Sequence, residues 1–204
     1  MSFNLPQRII PAVLLLSALH GMAQSATAQT PVPAARPAAT FAAPIAAPVA
    51  LNANFNGRWV GVLEYRDFQS NQQVFLPTWL SLIPLADGRG VTLSYIYDDG
   101  PTKTVRESST LTFTIESNRA TLTSNRDQTS ESYDVAGLAE FSKQGRGVLT
   151  LTGPGTENKK PVDVRITLTL RRNLYTFRKE TRQQGEEFKF RDAYTFTPAE
   201  PPAL

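Results

Sequence analysis

Short runs of alternating apolar and polar residues, separated by turn-forming residues, dominate the sequence from residue 54 onward. In the clearest run, residues 162–171, the apolar side chains Val162, Val164, Ile166, Leu168 and Leu170 occupy every second position. A period of two is that of a half-buried antiparallel strand, whereas an amphipathic helix needs a period near 3.6. No helical period is sustained, and only residues 137–141 suggest a helical turn. The pattern predicts an all-β chain.

Turn signals divide this region into about eight to ten short strands, which is typical of a barrel or a sandwich. The turns include residues 98–101, which read Asp-Asp-Gly-Pro, and residues 183–185 before the last strand. Sequential hairpins favour a single antiparallel up-and-down β-barrel, because closure removes the exposed edges of a long meander. A two-sheet sandwich is the alternative. Pro77 and Pro84 interrupt the second strand, so we expect an edge, a bulge or a bend there.

The chain begins with features of a secretory signal. Arg8 precedes an apolar run over residues 9–19, which is too short to cross a bilayer. Cleavage is expected after Ala28, in an Ala-Thr-Ala sequence, or after Ala23. We therefore predict a signal peptide at 1–28, a periplasmic or secreted location, and no membrane span after cleavage.

Residues 29–53 are rich in alanine and proline, a composition that forms extended spacers rather than a core. We interpret them as a disordered linker. The predicted barrel domain covers 54–198, and residues 199–204 form a disordered tail.

The residue inventory excludes most site chemistry from the predicted mature chain. His20 is the only histidine, Met1 and Met22 are the only methionines, and the 204 residues contain no cysteine. Without these side chains, histidine- or cysteine-dependent catalysis and the usual zinc, copper and iron–sulfur sites are excluded. We predict no metal, no cofactor and no catalytic residue.

The charge balance gives no sign of a nucleic-acid partner. Removal of residues 1–28 leaves 20 basic and 18 acidic residues, which are interleaved along the chain. A nucleic-acid footprint would need a clustered basic patch. The predicted surface is therefore a mixed, solvated one.

Gly57-Arg58-Trp59 opens the first predicted strand, and Phe190-Arg191 stands in the last. This arrangement resembles the calycin superfamily, the lipocalins and their relatives. The resemblance implies that Gly57 and Trp59 close one end of the barrel and that a basic residue packs across the indole. Arg191 takes that role by position, although its phase would require a bulge or a strand end, and Arg178 is the alternative.

The resemblance also implies a non-catalytic protein that binds a small apolar or amphipathic ligand inside the barrel. The alternative is a filled barrel that serves as a structural or protein-interaction module. An enzyme that uses carboxylates and tyrosines is a third reading, which a pair of inward carboxylates with raised pKa would support. The residues predicted to line the interior are Leu63, Tyr65, Trp79, Leu93, Tyr95, Tyr97, Phe113, Ile166, Leu168 and Tyr194.

Overall fold

The computed structural model describes residues 51–52, 54–67, 70 and 72–199. The predicted signal peptide, almost all of the predicted linker and the tail beyond residue 199 lie outside the described residues. Within the described part of the chain, no helix combines the length and the apolarity needed to cross a bilayer.

Ten antiparallel strands form one closed barrel in which each strand pairs with its neighbours in the chain. The first and last strands complete the circle, with Trp59 opposite Pro198 and Tyr65 opposite Asp192. The predicted up-and-down barrel is thus confirmed, and the sandwich alternative is wrong. The strands are β1 (Gly57–Arg66), β2 (Gln73–Pro84), β3 (Gly90–Asp98), β4 (Thr104–Thr114), β5 (Arg119–Ser124), β6 (Ser130–Ala136), β7 (Gly147–Glu157), β8 (Lys160–Arg171), β9 (Leu174–Arg182) and β10 (Lys189–Pro198).

The alternation of apolar and polar residues determines which side chains of a strand point into the barrel. In β8 the five apolar residues of the clearest run are buried, while Asp163 and Arg171 are exposed. Pro77 lies inside β2 opposite Val62 of β1, and the β2–β3 ladder begins one residue later, at Thr78. The missing N–H of Pro77 therefore breaks no bond to β3.

The end of the barrel at which β1 begins is closed by packed aromatic and aliphatic side chains. Phe55 is fully buried and stacks on Phe141, with 5.5 Å between ring centroids. Phe141 belongs to the short helix α1 (Leu138–Gln144), which follows the positive-φ residue Gly137. The expected helical turn therefore exists and forms part of the closed end.

The segment before the first strand also belongs to this closed end. Leu51 and Asn52 are buried, and the Asn52 side-chain amide donates to the carbonyl oxygens of Leu85 at 2.9 Å and Gly90 at 2.6 Å. The prediction placed both residues in the disordered linker. Their burial moves the start of the packed region to residue 51 at the latest.

Candidate ligand cavity in the barrel

The half of the barrel remote from Trp59 contains a cavity of about 380 Å³. Its volume falls in the range of small-molecule sites, near the lower limit. Apolar side chains supply one part of the wall, and tyrosine, serine and charged side chains supply the rest. The lining residues are Leu93, Tyr95, Tyr97, Glu107, Ser108, Ser109, Leu122, Ser124, Arg126, Asp127, Glu131, Ile166, Phe177, Lys179, Asp192 and Tyr194.

Small inner-face residues on β4 and β5 leave the space. Near the closed end, the inner face of β4 carries Leu111 and Phe113, which fill the core. Farther along, Ser109 of β4 lies directly opposite Ser124 of β5, and both line the cavity. Two short hydroxyl side chains thus replace the bulky pairs that would otherwise fill the barrel.

Three tyrosines form a continuous cluster along one side of the cavity. The ring centroids of Tyr95 and Tyr194 are 5.1 Å apart, and those of Tyr95 and Tyr97 are 5.9 Å apart with nearly parallel planes. The Tyr97 and Tyr194 hydroxyl oxygens are 3.1 Å apart. Burial raises the pKa of all three hydroxyls above the ordinary value, so the cluster stays neutral near pH 7.

Glu107 and Asp192 present carboxylates to the cavity from β4 and β10. The Tyr97 hydroxyl donates to Glu107 Oε2 at 3.3 Å, and burial raises the pKa of Glu107. Burial also raises the pKa of Asp192 to about 6, against the opposing attraction of Lys179 and Arg191. These are the inward carboxylates that the third reading of the sequence required.

Two further ionisable side chains, Lys179 and Glu131, line the cavity. Lys179 of β9 is the direct cross-strand neighbour of Asp192. Glu131 is buried on β6 and accepts a hydrogen bond from the Tyr133 hydroxyl. Among the described residues, no group of three or more acidic, histidine or cysteine side chains is arranged to hold a metal ion.

The structure brings five of the ten predicted lining residues to the cavity: Leu93, Tyr95, Tyr97, Ile166 and Tyr194. Leu63 and Tyr65 are buried beside it, in a cluster that also contains Leu76 and Tyr97. Phe113 and Leu168 belong to the main hydrophobic core instead.

Trp79 lies on the outer surface, so its prediction as an inward residue was wrong. Its side chain is 45% exposed, and its neighbours across the sheet are Val60 and Ile96. The inner face of β2 is formed by residues of the opposite phase, such as Leu80, which is buried opposite Trp59. Both faces of β2 are apolar, and the alternation within that segment therefore could not assign the phase.

Trp59 is buried at the closed end, where its ring centroid lies 6.3 Å from that of Tyr175. Gly57, which starts β1, has φ +95°, a conformation that favours glycine. Arg191 does not lie beside Trp59. The register places Trp59 opposite Pro198, at the end of β10, whereas Arg191 is near the start of that strand. Arg191 pairs instead with Glu157 at 2.9 Å.

The irregularity that the phase of Arg191 required is present as a β-bulge between Phe190 and Asp192. It reverses the alternation, so Phe190 lies on the outer face of β10 and Tyr194 on the inner face. The guanidinium of Arg178 lies over the Phe190 ring at 5.0 Å from the centroid. Arg178, the alternative partner for Trp59, is thus engaged on the outer surface.

Sequence reasoning missed the charged lining residues, although the alternation contained a signal for two of them. Counting back in steps of two from Leu111 gives Ser109 and Glu107, and one such step from Tyr194 gives Asp192. Glu107 and Ser109 lie within one continuous strand, β4 from Thr104 to Thr114, so their inward phase follows from that of Leu111.

No family model and no curated protein matches the chain. Among solved structures, the chain is similar to the S-type phycobiliprotein lyase CPES from Guillardia theta, at 8% sequence identity and a TM-score of 0.48. The similarity covers 72% of this chain and 89% of that chain. A likeness this remote transfers no activity to the present protein.

Proposed function

We propose that this protein is a calycin-like barrel that binds one small amphipathic molecule inside its cavity. The observation that carries the proposal is the cavity itself, about 380 Å³ of space inside the barrel. Leu122, Ile166 and Phe177 offer an apolar wall, and the tyrosine hydroxyls and carboxylates offer directional partners. Sites of this composition fix the orientation of a ligand through a few polar groups.

Binding is tested with a neutral fluorescent dye such as N-phenyl-1-naphthylamine, followed by native mass spectrometry of protein purified from its own host. Saturable dye binding and a stoichiometric co-purifying compound are expected. Ser109→Leu should abolish dye binding, because Ser109 faces the cavity. Ser132→Leu is the matched control, since Ser132 is exposed on the outer surface. Absence of dye binding to the wild-type protein would refute the proposal.

We further propose that the protein acts after export, in the periplasm or outside the cell. The proposal rests on Arg8, the apolar run that follows it and the Ala-Thr-Ala sequence ending at Ala28. Intact-mass measurement of the protein from its host tests it. A mass that begins at residue 24 or 29 is expected, whereas a full-length chain starting at Met1 would contradict export with cleavage.

A second candidate function is acid–base catalysis on the bound molecule. Two carboxylates with raised pKa, Glu107 and Asp192, face one cavity, and a group with a pKa of about 6 can both give and accept a proton near neutral pH. Extracts of the host are incubated with wild-type protein and with Asp192→Asn. If the protein is a catalyst, a compound should remain bound to the variant that the wild type converts into a product. If the same unchanged compound is recovered from both proteins, the result supports binding alone.

A further inference from the structure

The charges on the inner wall of the barrel are unbalanced in favour of acid. Glu107, Glu131 and Asp192 line the cavity from three different strands, whereas Lys179 is the basic residue among the lining positions on the strands. Arg126 and Asp127, in the loop between β5 and β6, add one charge of each sign. An anionic ligand would therefore meet a surplus of negative charge, and a cationic ligand would reduce it.

Existing partners leave the Asp192 carboxylate incompletely compensated. Lys179 and Arg191 attract its charge, but burial outweighs that attraction and the pKa of Asp192 remains raised. Arg191 is itself paired with Glu157, whose other oxygen accepts a hydrogen bond from Thr181 at 2.7 Å. A partly buried carboxylate whose charge is incompletely compensated gains free energy from an additional cation within hydrogen-bond distance.

The second carboxylate and the tyrosines lie in the same region of the cavity. Glu107 accepts a hydrogen bond from the Tyr97 hydroxyl, which lies 3.1 Å from the Tyr194 hydroxyl. Asp192 precedes Tyr194 by two residues on β10, and both side chains line the cavity. The neutral tyrosine hydroxyl oxygens accept hydrogen bonds from an ammonium group, and the ring faces attract a cation. Apolar contact is available from Phe177, the cross-strand neighbour of Tyr194, and from Ile166 on the adjacent strand β8.

We propose, building on the proposed binding function, that the ligand is a cationic amine with an apolar body. Its ammonium group lies beside Tyr194, facing Glu107 and Asp192, and its alkyl or aryl part contacts Leu122, Ile166 and Phe177. Shape selects a small hydrophobic molecule, and the acidic wall selects its charge.

Three probes of nearly equal size test the choice of charge: n-octylamine, n-octanol and n-octanoate, each used to displace the neutral dye at pH 7.5. Because a charge-assisted contact contributes more than a neutral one, octylamine should bind about tenfold or more tightly than octanol. Octanoate should bind most weakly. Equal or tighter binding of octanol or octanoate would overturn the amine proposal while the binding function stands. If the dye itself does not bind, both fall.

The roles of the two carboxylates are tested by Glu107→Gln and Asp192→Asn. Each should remove most of the preference for octylamine over octanol, measured as the ratio of the two affinities. Glu180→Gln is the matched control, because Glu180 pairs with Arg165 and Arg178 instead of lining the cavity. An unchanged amine preference in both cavity variants would overturn the assignment.

A measurement on the wild-type protein keeps the test independent of variant folding. Octylamine stays protonated between pH 7.5 and pH 5, so its affinity should follow the ionisation of Asp192 and fall about tenfold toward pH 5. The charged groups that act on Asp192 are Lys179, Arg191 and Glu157, and Arg126 acts on Glu107. Octanol affinity should stay constant over this range. An octylamine affinity that is also constant would overturn the proposal.

Discussion

Asp192→Asn should change how the stability of the protein depends on pH. The pKa of Asp192 is raised from 3.8 to about 6 by burial in the barrel, so folding disfavours the ionised form. A raised carboxyl pKa contributes stability that is fully present below pH 3.8 and is lost as pH rises through about 6. The difference corresponds to about 2 kcal/mol of unfolding free energy between pH 4 and pH 7.

The assay is urea unfolding, monitored by tryptophan fluorescence, of the wild type and Asp192→Asn at intervals from pH 4 to pH 7.5. Titrations common to both proteins cancel in the difference between their unfolding free energies, which leaves the contribution of Asp192. Relative to the variant, the wild type should lose about 2 kcal/mol over this range. A difference that stays constant, or that grows in favour of the wild type, would refute the assigned burial of Asp192.

Glu180→Gln provides a control of opposite sign in the same assay. Burial alone would raise the pKa of Glu180, but hydrogen bonds and attraction from Arg165 and Arg178 outweigh it and lower the pKa. The contribution of Glu180 to stability is therefore present near neutral pH and is lost as pH falls through its lowered folded-state pKa. The two variants should thus show opposite slopes, and equal slopes would indicate a global effect of pH on the barrel.

Three further tests, with five variants, examine the packing. Because Trp59 is buried and Trp79 is exposed, acrylamide should quench the fluorescence of Trp59→Phe strongly and that of Trp79→Phe weakly; the reverse order would contradict the phase of β2. Asn52→Ala should lower the free energy of unfolding in urea by about 2–3 kcal/mol, because two backbone carbonyls lose a buried donor. Asn54→Ala removes one partly buried hydrogen bond and should lower it by about 1 kcal/mol. Equal losses would refute the role of Asn52. Gly61→Ala should lower the melting temperature markedly, because the added methyl group would overlap a backbone carbonyl of β10; an unchanged melting temperature would show that β1 and β10 are less tightly packed.

The sequence supported the barrel because alternation and closure are local and cumulative properties. Each alternating segment, such as residues 162–171, indicates a strand by itself, and short turns restrict the order in which strands pair. The inward position of Trp59 could also be predicted from the sequence, since Trp59 shares a face with Leu63 and Tyr65 in an alternating segment. The outward position of Trp79 could not be predicted, because it depends on the register of β2 with β1 and β3.

The charged part of the candidate site could not be predicted with the same rules, since they identify the inner face by its hydrophobicity. Asp192 occupies an inner position two residues before Tyr194, yet an acidic residue there counts against an inner face in any pattern of apolar residues. The bulge at Arg191 reinforces the error, because it turns Phe190 outward while Asp192 faces the cavity. Hydrophobic alternation predicts the barrel, and the polar residues that interrupt it on the inner face, here Glu107 and Asp192, mark the candidate site. Within the protein, Glu107 accepts a hydrogen bond from Tyr97 and Asp192 is attracted by Lys179 and Arg191; the amine we propose would add a further partner to both carboxylates.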